Sequence, residues 1–245
     1  MKVLRTLWQL FAIFWTVIGY SFLGIAFWCV DVKREYRLFY KYGYRFAQTV
    51  LDIGGVRLEV EGREHLEAGK QYVFVANHVS IADIPAIWTA VGDMTNIRIV
   101  YKKELRHIPV FGWVLMCSPF IAVKRDKPRD GMKSINAAIE AAQRGSSVVI
   151  FAEGTRSRTG RLLPFKRGAF MLAARAHKPL VPVAIIGSQK IMREGEFRIY
   201  PELIRVVIGK PIEPPSEDNR QSEKILMEEL YYTVCAMLPP EMQPL

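Results

Sequence analysis

The sequence predicts an α/β fold, with a central, largely parallel or mixed sheet flanked by helices and preceded by an N-terminal module of two helices. Three observations carry this expectation. Short apolar, β-branched runs at residues 72–76, 97–101, 148–151 and 181–186 alternate with segments of helical period. Their strand–helix–strand order implies parallel crossovers, which bring successive strand ends to one sheet edge. Ahead of them stand a long uncharged run and a basic, aromatic helix with no strand character. A chain of 245 residues suits one domain plus an accessory segment, divided as 1–52 for the two helices and 53–245 for the α/β domain.

Residues 7–30 form a 24-residue run without a formal charge, containing Trp8, Trp15 and Trp28. As a helix it would be about 36 Å long, enough to cross a hydrocarbon core of about 30 Å. The run is too long for a signal-peptide core and lacks a small-x-small cleavage site, so it is expected to be retained. Lys2 and Arg5 precede it, and Lys33, Arg34, Arg37 and Lys41 follow. The heavier positive side places the rest of the chain in the cytoplasm. Basic flanks at both ends equally suit a helix that dips in and leaves both ends on one side.

Tyr36, Phe39, Tyr40, Phe46, Ala47, Val50 and Leu51 share one stripe of the next helix, while Arg34, Arg37, Lys41 and Arg45 share another. This is the pattern of an interfacial helix at anionic lipid, and packing on the following domain would produce it too. Gly43, in its middle, costs about 1 kcal/mol of helix propensity. Gly54-Gly55 ends the helix and Val56–Val60 alternates as a half-buried strand.

After the strand beginning at Tyr72, a helix runs to about Ala90, and strands follow at 97–101 and 120–123, the latter leading into Lys124-Arg125. Met132, Ile135, Ile139 and Ala142 mark a helix face closed by Gly145, ahead of the strand at 148–151. A helix through Ala176 ends at His177, a C-terminal cation. In the strand 181–186, Pro182 demands an early or edge position. Residues 197–200 and 203–208 read as the last strands. A final helix from Ser216 carries Leu226, Leu230, Val234 and Met237 on one face.

Half the residues are hydrophobic and the formal net charge is +10, which points to an anionic partner such as a membrane surface or a phosphate. The basic residues are dispersed and no recognition motif accompanies them, which argues against nucleic acid. Cys29, Cys117 and Cys235 are far apart with no metal-ligand spacing, and the four histidines do not cluster, so no metal site is expected.

The chemistry-bearing residues lie at strand ends. Asn77 and His78 follow the strand that begins at Tyr72, and Asp83 comes five residues after His78. On one regular helix those two side chains would point roughly 140° apart. They meet only if His78 lies in the connection and Asp83 in the first turn of the next helix. Ser80-x-x-Asp83, which resembles a capping box, and Pro85 favour that bend.

A histidine oriented by a carboxylate is a general-base arrangement. No Gly-x-Ser-x-Gly supplies a nucleophile, and Ser80 reads as the cap, so the base would activate a hydroxyl of a substrate. Transfer would then run between two bound substrates without a covalent enzyme intermediate. Lys102 and Lys103 close the strand at 97–101, and Glu153-Gly154-Thr155-Arg156 follow the strand at 148–151. Gly154 admits close backbone approach, Thr155 can donate a hydrogen bond and Arg156 can grip phosphate bidentately.

Together these blocks resemble the glycerolipid acyltransferase family, and in particular its bacterial 1-acyl-sn-glycerol-3-phosphate acyltransferases. Asn77-His78-x4-Asp83 resembles the first motif and Lys102-x-Glu104-Leu105-x-x-Ile108-Pro109-x-x-Gly112 the second. Phe151-x-Glu153-Gly154-Thr155-Arg156-Ser157 resembles the third, with Ala152 in place of the usual proline, and Val181-Pro182-Val183 the fourth.

The resemblance implies that His78 deprotonates the sn-2 hydroxyl of a lysophospholipid and that Asp83 orients His78. Lys102, Arg156 and Arg125 would hold the acceptor phosphate, and Glu153, Gly154 and Thr155 would shape the glycerol site. The acyl donor would be acyl-coenzyme A or acyl carrier protein, with no cofactor beyond that thioester. The expected setting is the cell membrane, with the catalytic domain on its cytoplasmic face and lysophosphatidic acid as acceptor. Another lysolipid or glycerol 3-phosphate would suit the same chemistry. A non-catalytic module binding anionic lipid would use the basic helix and need neither His78 nor Asp83.

Overall fold

The computed structural model describes residues 2–31, 36–123, 128–192, 196, 198–214 and 219–245. Its centre is a seven-stranded sheet. The strands are β1 (Arg57–Glu61), β2 (Val73–Ala76), β3 (Ile97–Lys102), β4 (Ile121–Val123), β5 (Ser147–Phe151), β6 (Leu180–Ile186) and β7 (Leu203–Ile208), in spatial order β1-β7-β6-β2-β5-β3-β4. Strands β2 to β6 are mutually parallel, and among the described strand pairs only β6–β7 is antiparallel. The sheet is therefore mixed, with the carboxyl ends of five strands at one edge.

Alternation along the strands divides the core into two layers. Phe74, Ala76, Ile97, Ile99, Val181 and Val183 face α2 (Arg37–Gly54) and α3 (Asp83–Val91). Val73, Val75, Val148, Leu180 and Ala184 face α5 (Pro128–Gln143), α6 (Gly168–Ala176) and α7 (Arg220–Met237). Because β2 is buried on both faces, it is apolar throughout rather than alternating.

The first two helices pack onto this body. Helix α1 (Lys2–Asp31) lies antiparallel along α2, with Tyr20 on Phe46, Phe27 on Tyr42, and Gln9 donating to the carbonyls of Ile53 and Gly54. By length and composition α1 could cross a membrane. Its polar Thr6, Gln9 and Ser21 are buried against the protein, while Trp8, Phe11, Phe14, Trp15 and Phe22 are exposed. That arrangement is the reverse of a water-facing helix. Helix α2 contributes Ala47 and Leu51 to the core and ends at Gly54, two residues beyond the division expected at 52. Gly43 has a structural reason: a Cβ there would lie 2.2 Å from the Trp88 ring of α3. Arg34, on the expected basic stripe, lies outside the described residues.

Several expectations need correction. Helix α4 (Phe111–Cys117) occupies a stretch to which the sequence pattern assigned no element. Gly112 is required there, since a Cβ would meet the Arg106 carbonyl at 2.1 Å. Residues 198–200 form no strand, and Phe197 lies outside the described residues. The last helix begins at Arg220 with the Asn219 side chain accepting from the Ser222 N–H, and Ser216 is not described. Helix α6, by contrast, ends at Ala176 as expected, and His177 is its left-handed C-cap, at φ 50.

Pro182 sits inside the sheet, paired with Val75 of β2. The N–H and C=O of one strand residue point the same way, and the Pro182 carbonyl accepts from Gly209 just past the end of β7. Between the pairs Val183–Ile208 and Leu180–Ile212 the partner chain has one residue more than β6, so the missing donor falls at a bulge.

Candidate active site

Five strand ends converge on the edge where β2 delivers Asn77 and His78. The β2–β6 ladder ends at Ala76 and Val183, and the Asn77 side chain then continues it. Its Oδ1 accepts from the Ile185 N–H at 2.7 Å and its Nδ2 donates to the Ile185 carbonyl at 3.0 Å. This side-chain amide takes the place of a further strand residue and fixes where the chain leaves the sheet.

His78 is then held from four directions. Its N–H donates to Glu153 Oε1 at 2.7 Å, and its carbonyl accepts from the Ser157 N–H at 2.8 Å. Its ring stacks on Phe151, with centroids 4.1 Å apart and planes inclined by 20°. Nδ1 lies 2.7 Å from Asp83 Oδ2. Because Asp83 accepts, Nδ1 carries the proton, which leaves Nε2 as the acceptor nitrogen. Among the described residues Nε2 has no hydrogen-bond partner.

Asp83 is the first residue of α3 and is wholly buried. Its Oδ2 also accepts from the Val79 and Ser80 N–H groups, at 2.8 Å each, and Oδ1 accepts from the Ser188 hydroxyl. The bend expected between His78 and Asp83 is present. Ser80, however, is not the helix cap: its hydroxyl accepts from the Ala82 N–H, while Asp83 reaches back to the Ser80 N–H. Half of the capping box forms: the carboxylate's half is made, while the Ser80 hydroxyl is taken by the Ala82 N–H and the Asp83 N–H donates to the Ser80 carbonyl instead.

Glu153 is also buried, and its Oε2 accepts from the Leu163 N–H at 3.2 Å. Burial pushes its pKa up to about 7; the His78 and Leu163 N–H groups oppose that shift and the charge of Asp83 adds to it. Both oxygens face the protein, so its influence on the site runs through the backbone it holds. Gly154 turns at φ 70, and a Cβ there would meet Lys166 Nζ at 2.9 Å. Thr155, Arg156 and Lys102 are exposed on the same edge. Arg125 lies outside the described residues.

The structure thus joins His78, Asp83 and Glu153 by hydrogen bonds and leaves Lys102, Thr155 and Arg156 as polar groups around them. Four further residues contribute, two of them (Asn77 and Phe151) present in the motifs without an assigned role. Phe151 is the ring platform, Asn77 the ladder extension, Ser188 the second side-chain donor to Asp83, and Lys166 an ammonium over Gly154. For Phe151, Asn77 and Ser188 the available signal was a position at or just beyond a strand end; Lys166, just ahead of α6, carried none.

Comparisons with known proteins bear on this arrangement. A family model described as acyltransferase matches residues 57–186, more than half of the chain. Over 208 residues the chain is 32% identical to a 1-acyl-sn-glycerol-3-phosphate acyltransferase of Limnanthes douglasii, covering 83% of this chain and 71% of that protein. Over 158 residues it is 36% identical to the chloroplastic 1-acyl-sn-glycerol-3-phosphate acyltransferase BAT2 of Brassica napus, covering 64% of this chain and 45% of that longer protein.

The crystal structure of the 1-acyl-sn-glycerophosphate (LPA) acyltransferase PlsC from Thermotoga maritima superposes with a TM-score of 0.78 at 25% identity, covering 96% of this chain and 95% of that one. With sequence and fold in agreement over the region that carries His78, Asp83 and Glu153, the chain belongs to the acyltransferase family.

Proposed function

We propose that the protein transfers an acyl group from a thioester, acyl-coenzyme A or acyl carrier protein, to the sn-2 hydroxyl of 1-acyl-sn-glycerol 3-phosphate, giving phosphatidic acid. The observation that carries this reading is the 2.7 Å contact between His78 Nδ1 and Asp83, which leaves Nε2 as a proton acceptor at the sheet edge. Nε2 takes the proton of the acceptor hydroxyl as its oxygen attacks the thioester carbonyl. The buried Asp83 carboxylate stabilises the imidazolium that forms. Collapse breaks the C–S bond, and the imidazolium returns its proton to the leaving thiolate. No residue forms an acyl intermediate.

Lys102, Arg156 and Arg125 hold the acceptor phosphate, and Gly154 and Thr155 bound the glycerol, with Glu153 supporting their loop. Residues 1–52 dock the domain 53–245 on the cytoplasmic face of the membrane. The exposed aromatic face of α1 supports this docking. A lipid acceptor and a soluble donor then reach one site.

The test is thiol release from acyl-coenzyme A or acyl carrier protein by detergent-purified protein, with and without lysophosphatidic acid, alongside a folded His78→Ala variant. Release that requires both the acceptor and His78 is expected. Acceptor-dependent release that persists in His78→Ala would overturn the general-base mechanism, and no release with lysophosphatidic acid and either donor would overturn the substrate assignment.

A further inference from the structure

Asp83 has two oxygens with different neighbours. Oδ2 collects His78 Nδ1 and two backbone N–H groups, whereas Oδ1 is met by the Ser188 hydroxyl. Ser188 lies 105 residues away in sequence and is completely buried. The chain is built to bring it there. Asn77 clamps both backbone groups of Ile185, fixing the end of β6 against the end of β2. Gly187 then turns at φ 90, where a Cβ would lie 2.4 Å from the Leu203 carbonyl, and Ser188 enters the space beside α3. A hydroxyl with no exposure and an ionisable acceptor is an expensive group to bury for packing alone.

We propose that Ser188 is a positioning residue of the acyl-transfer reaction: its hydroxyl fixes the plane of the Asp83 carboxylate so that Oδ2 faces His78 Nδ1, and it carries part of the carboxylate's charge. The proposal rests on the reading of His78 as general base. It makes the oriented group a four-part unit, in which His78 is aimed by Asp83 and Asp83 by Ser188, with the backbone of residues 79 and 80 completing the set. The titratable groups that face Asp83 are His78, in direct contact, and Glu153, whose charge it senses.

Loss of the hydroxyl has a sign that packing alone would not produce. With one donor gone, the Asp83 charge is less satisfied and bears more strongly on the imidazolium, so His78 holds its proton to higher pH. The acid limb of the kcat/KM profile then moves to higher pH, and kcat falls because the carboxylate is no longer fixed.

The test uses the full chain in detergent micelles with lysophosphatidic acid, supplied with acyl-coenzyme A and, in parallel, acyl carrier protein loaded with the same chain. Ser188→Ala, Ser188→Thr and His78→Ala are compared, and the His78 ring is titrated by NMR in each folded Ser188 variant. Ser188→Ala is expected to lower kcat about tenfold or more, the loss of one hydrogen bond to a charged group, with little change in the acceptor KM. The His78 midpoint should rise, and Ser188→Thr should restore both.

An unchanged kcat in Ser188→Ala would overturn the proposal. So would a fall in kcat with an unmoved His78 midpoint, since that is the mark of packing. The NMR titration stands by itself if the threonine methyl does not fit. His78→Ala that keeps full turnover would overturn the general-base reading instead, which separates the two failures.

Discussion

Glu153→Gln tests the burial of the acid beneath the catalytic loop. In the folded protein the Glu153 carboxyl titrates at about 7, raised from 4.5, chiefly by burial. A group whose pKa rises on folding binds its proton more tightly in the native state. Stability from this group is therefore greatest below the unfolded value and is lost as pH rises through the folded one. A shift of this size corresponds to about 3 kcal/mol, at about 1.36 kcal/mol per unit. Between pH 5 and pH 8, Glu153 should thus remove about 2–3 kcal/mol of stability that a glutamine would not.

Glutamine imposes its own cost, because its amide N–H₂ faces the Leu163 N–H in place of Oε2. That cost is independent of pH and cancels when each variant is compared with itself. The assay is urea unfolding in detergent at pH 5, 6, 7 and 8, following tryptophan fluorescence. Wild type should lose stability relative to Glu153→Gln as pH rises, most steeply near pH 6, between the unfolded and folded values, and should level off above about 7. Parallel stability curves for the two proteins would refute the linkage and with it the assignment of a raised acid at this position.

Two further perturbations probe how the site is supported. Asn77→Ala leaves the Ile185 N–H and carbonyl without their buried partner, and should cost about 2–4 kcal/mol in urea unfolding. Asn77→Asp should not rescue it, because a carboxylate cannot donate to the Ile185 carbonyl. Gly43→Ala should destabilise by about 1–3 kcal/mol despite its better helix propensity, because its methyl would overlap the Trp88 ring. Adding Trp88→Phe should recover part of that loss in thermal unfolding, and strictly additive effects would show that the two residues are not in contact.

Much of the molecule is written locally. Strand and helix periods of a few residues declare themselves in any window, so the seven strands that form lie close to where apolar runs predict them. His78 and Asp83 are also local: five residues span both groups, and only a bend can bring them together. The same local reading fails where two residues compete for one role. It gives Ser80 the cap because it cannot see that α3 starts at Asp83 and that the Ser80 hydroxyl accepts from the Ala82 N–H. It allows Pro182 an early or edge position but cannot show the bulge that accommodates it, which is made by residues 208–212, far along the chain.

What only the tertiary structure decided is the company each local feature keeps. The order β1-β7-β6-β2-β5-β3-β4 sets β2 between β5 and β6, which lets Phe151 and Glu153 come from one side and Asn77's partner Ile185 and Ser188 from the other. Those contacts join residues 73 to 108 positions apart, and no periodicity encodes them. Sequence by itself determined which groups could do the chemistry, because side-chain type and short spacing are local properties. Their aim, burial and charge balance came from sheet order, since a hydrogen bond exists only where folding brings its donor and acceptor together.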